Sequence, residues 1–429
     1  MFDWLYRMAH RCNACGRAPI SLHSEKKVKR VSYILGLTIF GCIFGSPAAH
    51  ALNGPTPVQI DGGPLGTLKI SGGVDGYFFA QSGASGSSVV GPKSNGANIS
   101  AFMLQAKKTT GPIQFTIQLA EYTNINLGAN KPKEINGNMY TTGPLRAAYI
   151  TLPLTDDFSI SAGQLDSLEG YESAFAWNNP VALRTVIASV ENSESRGVSA
   201  SYNQGPFSGT VIFGDGYDTG VFNYLQFLTS YDINADSNLN VFGGVALGVT
   251  GPNSFAYGSG GSSNGGANGV GGQGQLANVN SNMLGGWYST VIDGLNLTSE
   301  VQYQYAKPLH RYADVTSGGV SDNIAKETSN LGVAEFAEYQ FPGTDYSIGS
   351  WAEYATSHGS GAQDNWFVAP NAELVGFAVA PTWQHGHIYS RLNAGYVHLL
   401  NQGQPVAGYG NSGTGKNQVV GTLELGLVF

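Results

Sequence analysis

The chain has 429 residues, with 60 Gly, 22 Tyr and 20 Phe but only 12% charged side chains and a formal net charge of −8. The first 51 residues hold 7 of the 21 Lys and Arg and 2 of the 29 Asp and Glu, which leaves 14 basic against 27 acidic residues in the remainder. This balance excludes the clustered basic surface that a nucleic-acid-binding protein requires.

Residues 1–51 have the organisation of an export signal. A basic cluster at residues 26–30 precedes an apolar run at 31–44, and Ala49-His50-Ala51 follows. A membrane-spanning helix needs about 20 apolar residues, so this run is too short to span, and we predict a signal peptide cleaved after Ala51. Lipid attachment at Cys42 is a weaker alternative. Residues 1–25 match no targeting element, and either a functional extension or a start codon placed too early would explain them.

The cysteines Cys12, Cys15 and Cys42 all lie in this presequence. The predicted mature chain therefore has no thiol to form a disulfide or a thiolate site. A single CxxC pair without a second pair or a supporting His is weak evidence for zinc or redox chemistry.

After residue 51 the sequence alternates with period two, which is typical of strands with one apolar and one polar face. Residues 295–306 are the clearest example. Their apolar face consists of Leu295, Leu297, Val301, Tyr303 and Tyr305, and their polar face of Asn296, Thr298, Glu300, Gln302 and Gln304. Residues 330–341 are less regular, because Glu335 and Glu338 are in opposite phase and one carboxylate must point to the apolar side.

Sixteen such segments can be counted, and their connections alternate between seven short turns and eight long loops. The predicted strands are 67–79, 98–108, 112–122, 145–153, 157–165, 196–203, 206–214, 224–233, 239–250, 281–292, 295–306, 330–341, 345–356, 373–383, 387–399 and 417–429. This pattern predicts an all-β fold, an up-and-down antiparallel transmembrane β-barrel at 67–429, behind a short periplasmic segment at 52–66. Sixteen strands enclose an aqueous channel. The strands of a soluble β-sandwich would also alternate between apolar and polar residues. A sandwich, however, gives no reason for short turns to alternate with long loops.

The chain ends on Phe429, after ten residues that alternate in the same way. This ending resembles the C-terminal signal by which outer-membrane barrels are recognised. We therefore expect the last strand to bind the barrel-assembly machinery.

Residues 163–217 resemble a known family. The matching residues are Gly163-Gln164-Leu165, Gly170-Tyr171-Glu172, Asn179-Pro180, Ser195-Arg196-Gly197-Val198, Tyr202 and Gly214-Asp215-Gly216-Tyr217. They look like the middle of the OmpL-like β-barrel porins, although residues 181–192 depart from that pattern. The resemblance implies passive transport of small solutes across an outer membrane and carries no catalytic residue.

Three other patterns favour ordinary structural roles. Residues 258–274 are rich in Gly, Ser and Asn but have no acidic residue, so we expect an extracellular loop and not a calcium repeat. His385-Gly386-His387 has no third ligand nearby, which favours a solvated turn over a metal site. Six aromatic residues lie near strand ends and predict interfacial girdles; they are Tyr303, Tyr305, Tyr339, Phe341, Tyr346 and Tyr354.

The connection from Asp166 to Ser195 is the longest that carries substantial charge. We predict that it folds inward and narrows the pore, where fixed charge sets the barrier to ions. The connection contains five acidic residues and one arginine: Asp166, Glu169, Glu172, Glu191, Glu194 and Arg184. Arg196 follows directly after it. The excess of carboxylates predicts a weakly cation-preferring constriction. In the alternative, this loop lies over the outer rim and its acids bind divalent ions near lipopolysaccharide.

The sequence thus predicts an outer-membrane diffusion channel for small hydrophilic solutes and ions, with no cofactor. A channel specific for sugars, fatty acids or exported polymers is the main alternative. A barrel-wall enzyme is a weaker one, because no Ser/His or Asp/His set can be assembled. Expected partners are membrane lipid, lipopolysaccharide and further copies of the chain in a homotrimer.

Overall fold

The computed structural model describes residues 52, 57–82, 94–123, 125–128, 144–217, 219–250, 279–308, 316–317, 320–321, 327–359, 371–403, 408–410 and 412–429. The predicted presequence with its three cysteines and the Gly-rich segment at 258–274 lie outside these residues. Among the described residues, sixteen antiparallel strands form a closed barrel.

The barrel strands follow the chain order. They are β1 (Thr67–Gln81), β2 (Asn95–Lys108), β3 (Gln114–Tyr122), β4 (Leu145–Pro153), β5 (Phe158–Asp166), β6 (Glu194–Gln204), β7 (Phe207–Asp215), β8 (Phe222–Asn234), β9 (Ser237–Ala246), β10 (Ser281–Ile292), β11 (Leu295–Ala306), β12 (Thr328–Gln340), β13 (Tyr346–His358), β14 (Ala372–His385), β15 (Ile388–Gln402) and β16 (Asn417–Val428). Shorter strands are Val58–Asp61, Ile125–Asn126, Leu183–Arg184, Thr316–Ser317 and Val320–Ser321, and 3-10 turns are Gly63–Leu65, Ala176–Asn178 and Ile187–Val190. No helix in the described part of the chain is long and apolar enough to cross a membrane.

The first and last strands close the sheet. β1 pairs with β16 in an antiparallel register that runs from Gly73 opposite Val428 to Gln81 opposite Val420. Closure pairs the edges that an open sheet would leave free, and a bilayer has no water to bind unpaired backbone groups. The sequence-based prediction of a sixteen-stranded barrel is confirmed.

Strand ends differ from the predicted ones by a few residues. The predicted strand at 239–250 ends earlier, at Ala246, where its ladder with β8 ends at the pair of Tyr224 and Ala246. Val58–Asp61, which was not among the predicted strands, is an exposed strand that pairs with the start of β1.

The two faces of each strand are opposite in character. In β11, Val301 on the outer face is 50% exposed, whereas Gln302 and Gln304 on the inner face are almost fully buried. Glu335 lies on the outer face and accepts a hydrogen bond from the Ser299 hydroxyl at 2.6 Å, while Glu338 lies on the inner face. An apolar outside and a polar inside are the reverse of a soluble barrel and fit a lipid environment.

Candidate functional site

Residues 167–193, which connect β5 to β6, lie inside the barrel; we call them the lumen loop. The Ala182 amide donates to Asn393 Oδ1 at 2.9 Å, and the Trp351 indole donates to the Leu183 carbonyl at 2.6 Å. Gln302 Nε2 donates to the Ile187 carbonyl at 3.2 Å. These partners lie on β15, β13 and β11. The lumen loop therefore crosses the barrel interior to strands that are far from it in sequence.

The lumen loop packs an apolar core against that wall. Its buried residues Val181, Leu183, Val186, Ile187 and Val190 form one cluster with wall residues and with Leu127 from the connection after β3. The wall residues in the cluster include Phe336, Trp351, Leu374, Val397 and Leu399. Leu183–Arg184 also pairs in parallel with Ile125–Asn126. Burial of these side chains favours the inward position of the lumen loop.

Carboxylates on the inner wall bind backbone amides of the lumen loop. Glu300 Oε1 accepts from the Tyr171 amide at 3.0 Å, and Glu353 Oε2 accepts from the Val186 amide at 2.9 Å. A turn or loop buried away from water must find partners for its backbone groups, and these acids supply them.

The charged residues predicted at the constriction fall into separate groups. Asp166 and Glu194 both contact the buried Arg146, with 3.1 Å between Arg146 Nε and Glu194 Oε1. The Arg146 guanidinium also lies 5.2 Å from the Phe175 ring centroid, within cation–π range. This cluster sits where the lumen loop leaves β5 and joins β6.

A second group lies within the lumen loop. Arg184 Nη2 is 3.7 Å from Glu191 Oε2 and 3.4 Å from the Glu172 carbonyl oxygen. The Glu172 carboxylate accepts from the Thr185 amide at 3.0 Å and from its hydroxyl. Burial raises the pKa of the Glu172 carboxyl, and burial together with the nearby Glu300 charge raises that of Glu191.

Glu169 stands apart from both groups. Its carboxylate accepts from the Tyr224 hydroxyl at 2.7 Å and from the Asn192 amide at 2.9 Å. Burial raises the pKa of this carboxyl to about 7, although both hydrogen bonds favour the charged form.

Arg196 forms a separate pair. Its guanidinium binds Asp215 Oδ2 at 2.7 Å, and this carboxylate lies fully buried at the end of β7. Arg196 therefore pairs with a carboxylate that was not among the predicted residues.

Arg391, which was not among the predicted site residues, is fully buried on the inner face of β15. Its Nη1 donates to the Asn179 carbonyl at 2.7 Å and its Nη2 to the Ala176 carbonyl at 2.8 Å. Its Nε donates to Glu424 Oε2 at 2.6 Å. A basic residue on the polar face of an alternating strand, between Ile388 and Leu392, was the available signal.

The remaining sequence patterns carry no site in the described residues. His385 Nδ1 lies 2.9 Å from the Asp345 carboxylate in an exposed turn, and His387 Nδ1 lies 3.0 Å from the Val428 carbonyl. Within the described ranges, no group of three or more His, Cys, Asp or Glu side chains could hold a metal ion. Tyr303 and Tyr346 are exposed on the outer face, as interfacial aromatics are.

A closed sixteen-stranded barrel with a polar interior and a loop folded into it defines the porin type of outer-membrane protein. A family model described as "Putative beta-barrel porin-2, OmpL-like" matches residues 67–429. The chain belongs to this family, and it is an outer-membrane porin with a channel function.

Solved porin structures share the fold. The anion-selective porin from Comamonas acidovorans superposes with a TM-score of 0.50 at 10% identity, over 84% of this chain and 99% of that chain. OmpT, an outer membrane protein of Vibrio cholerae, superposes with a TM-score of 0.51 at 9% identity, over 85% of this chain and 98% of that chain. No curated protein matches the chain. At these identities, the likeness shows the fold alone.

Proposed function

We propose that this porin is a passive diffusion channel for small hydrophilic solutes and ions, with a weak preference for cations. The observation that carries the proposal is a closed barrel with a polar inner face and with the lumen loop packed against one side of that face. Single-channel conductance of the refolded protein in a planar bilayer tests it. Stepwise current increases are expected, and a protein that inserts without conducting would contradict it.

The cation preference is supported by the charges that face the lumen or belong to the lumen loop. Carboxylates outnumber basic groups. The carboxylates are Asp75, Asp166, Glu169, Glu172, Glu191, Glu194, Asp232, Glu300, Glu338, Glu353 and Glu424, and the basic groups are Lys69, Lys107, Arg146, Arg184 and Arg391. Many of these carboxylates are bound to arginines or to loop amides, which weakens the field they exert on a passing ion. The preference is therefore expected to be small.

Reversal potentials under a KCl gradient test this preference. Joint replacement of Asp166→Asn, Glu169→Gln and Glu172→Gln keeps the side-chain shapes and removes three ionisable carboxyl groups, so the reversal potential should move toward zero. Glu335→Gln is the matched control, because that carboxylate faces outward. Unchanged selectivity in the triple variant, or an equal shift in the control, would show that these loop charges do not border the ion path.

A non-enzymatic channel also fits the family and fold. A hydrolase assay on the refolded protein addresses the barrel-wall enzyme, and sustained turnover would overturn the channel assignment. For export, we propose cleavage after Ala51, and N-terminal sequencing of the outer-membrane form should start at Leu52.

We propose that the outer face contacts lipid, lipopolysaccharide and two further copies of the chain. Apolar side chains such as Leu423 and Leu425 suit lipid, whereas the carboxylate of Glu335 is costly against hydrocarbon and is better placed at a protein contact. Native mass spectrometry of the detergent-solubilised protein is expected to give a trimer, and a monomer would refute this assembly. The C-terminal strand remains the proposed binding site of the assembly machinery.

A further inference from the structure

The lumen loop packs against the wall that includes β13, where its Pro180 carbonyl lies against Gly349. Closer to the periplasmic turns of β13 and β14, the inward-facing Ser347 and Thr382 are buried, at 6% and 4% exposure. At the corresponding ends of β4 to β8, six inward-facing hydroxyl residues are half-buried. We call these residues the hydroxyl strip: Thr151, Ser159, Ser161, Ser201, Ser208 and Ser230.

Strand parity places the hydroxyl strip on the inside of the barrel. Its neighbours of opposite parity, such as Ile150, Val198 and Phe207, are exposed on the outer face. Because successive side chains of a strand point to opposite faces, the hydroxyls must face the lumen. Their partial exposure is therefore exposure to the interior of the channel.

The hydroxyl strip can still form hydrogen bonds with a solute. Thr151 and Ser161 hydroxyl oxygens are 2.8 Å apart, and so are those of Ser201 and Thr210. A hydroxyl pair uses one O–H as donor and leaves the other O–H and several lone pairs available. Each pair thus offers a passing molecule both a donor and acceptors.

The hydroxyl strip also lacks fixed charge. Across the periplasmic parts of β3 to β8, all of which the structure describes, the inward positions next to the strip carry Gln114, Thr116, Tyr149, Asn203 and Thr210. Two charged groups flank the strip: Lys107 on β2, which pairs with Thr116, and Asp232 at the end of β8. The arginines and carboxylates described above lie where the lumen loop meets the wall. The hydroxyls of the strip are neutral, so they attract no ion over a distance, whereas they bind neutral hydrogen-bonding groups at contact.

We propose that the permeation path runs off-centre along the hydroxyl strip and that this wall favours neutral polyhydroxylated solutes, such as sugars and polyols, over charged solutes of the same size. The inference rests on the proposed channel function and names its solute class. Polyols carry hydroxyls that both donate and accept, as the strip does. Several weak contacts in series let a solute enter and also leave, as transport requires.

The position of the path is tested by cysteine accessibility, because the predicted mature chain has no cysteine. Ser161→Cys and Ser201→Cys are near-isosteric changes in the hydroxyl strip, and Ser347→Cys is the matched control at a buried inward position of β13. A charged methanethiosulfonate reagent should lower single-channel conductance in the first two variants and leave the control unchanged. Equal effects at all three positions, or an effect at Ser347→Cys alone, would overturn the off-centre path.

The solute class is tested by liposome swelling with a neutral disaccharide and its carboxylated derivative. The wild-type channel should pass the neutral sugar faster. Joint Thr151→Val and Ser201→Ala replacement should slow the sugar by roughly three- to tenfold, the equivalent of one net hydrogen bond, with little change for the derivative. Ser347→Ala is the control and should change neither rate.

The outcomes separate this inference from the proposed function. A channel that conducts KCl but passes the two disaccharides equally refutes the solute class and leaves the diffusion channel standing. Equal slowing of both solutes in the double variant likewise refutes it. A folded protein that conducts neither ions nor sugars refutes the proposed function itself.

Discussion

Replacement of Arg391 by methionine should release the lumen loop. The guanidinium binds two carbonyl oxygens of the lumen loop, from Ala176 and Asn179, and the carboxylate of Glu424 on β16. Arg391 and Glu424 are essentially unexposed. Methionine preserves much of the side-chain volume but removes every donor.

The magnitude follows from those contacts. Removal of one partner of a buried ion pair costs about 3–5 kcal/mol, because the other charge is left uncompensated. Each carbonyl without a donor adds about 1 kcal/mol. If the lumen loop leaves the wall, water reaches Glu424 and both carbonyls, so release recovers this cost. At about 1.4 kcal/mol per tenfold change, the released population should rise by roughly 10²-fold or more.

The assay is the rate at which a maleimide labels Ala188→Cys, a loop position that is buried in the packed state. Labelling should accelerate in the Arg391→Met background. It should slow again when Glu424→Met is added, because the uncompensated charge is then gone. Arg196→Met is the control, since its carboxylate partner Asp215 lies outside the lumen loop.

Heat-modifiable migration on a gel should show that the barrel itself stays folded in every variant. Unchanged labelling in a folded Arg391→Met barrel would refute the role of this residue in holding the lumen loop.

Three further predictions concern the same loop. Gly349→Ala should displace it and raise labelling, because the new Cβ would overlap the carbonyl oxygen of Pro180; Gly421→Ala, whose Cβ would have 3.7 Å to its nearest neighbour, should not. Trp351→Phe should raise labelling roughly tenfold by leaving a loop carbonyl without its indole donor. The pKa of Glu169 is raised from 4.5 to about 7 in the packed state. Between these pH values the packed loop binds more protons than the released loop, so its packing should strengthen as pH falls from 7.5 to 5. Hydrogen exchange, corrected for intrinsic rates, measures this, and equal protection at both pH values, or the same response in Glu169→Gln, would contradict it.

Local pattern determined much of the fold. The bounds Leu295–Ala306 and Ser281–Ile292 agree at both ends with the predicted strands, because period two and a two-residue turn are local properties of the chain. The same reasoning placed Glu335 and Glu338 on opposite faces, and the structure confirms this. Closure follows as well, because a bilayer penalises unpaired strand edges.

The interior of the lumen depended on tertiary structure. Length and charge singled out the segment from Asp166 to Ser195, but its partners are far away in sequence: Arg391 and the Ala176 carbonyl are separated by 215 positions. The alternation of side chains along β13 and β15 predicts that Glu353 and Arg391 face inward. It does not predict which loop amide or carbonyl each side chain binds. The sequence also grouped Arg196 with the loop acids, although its carboxylate partner is Asp215 at the end of β7.

The hydroxyl strip shows the same division between local and long-range information. Alternation in β4 to β8 determines that Thr151, Ser161 and Ser201 face the lumen, since a strand has only two faces. Whether the lumen loop covers them or leaves them open depends on how its apolar residues fit the far wall. Packing between remote segments, and not local pattern, decided which part of the lumen stays uncovered, because apolar burial depends on the shapes of both surfaces.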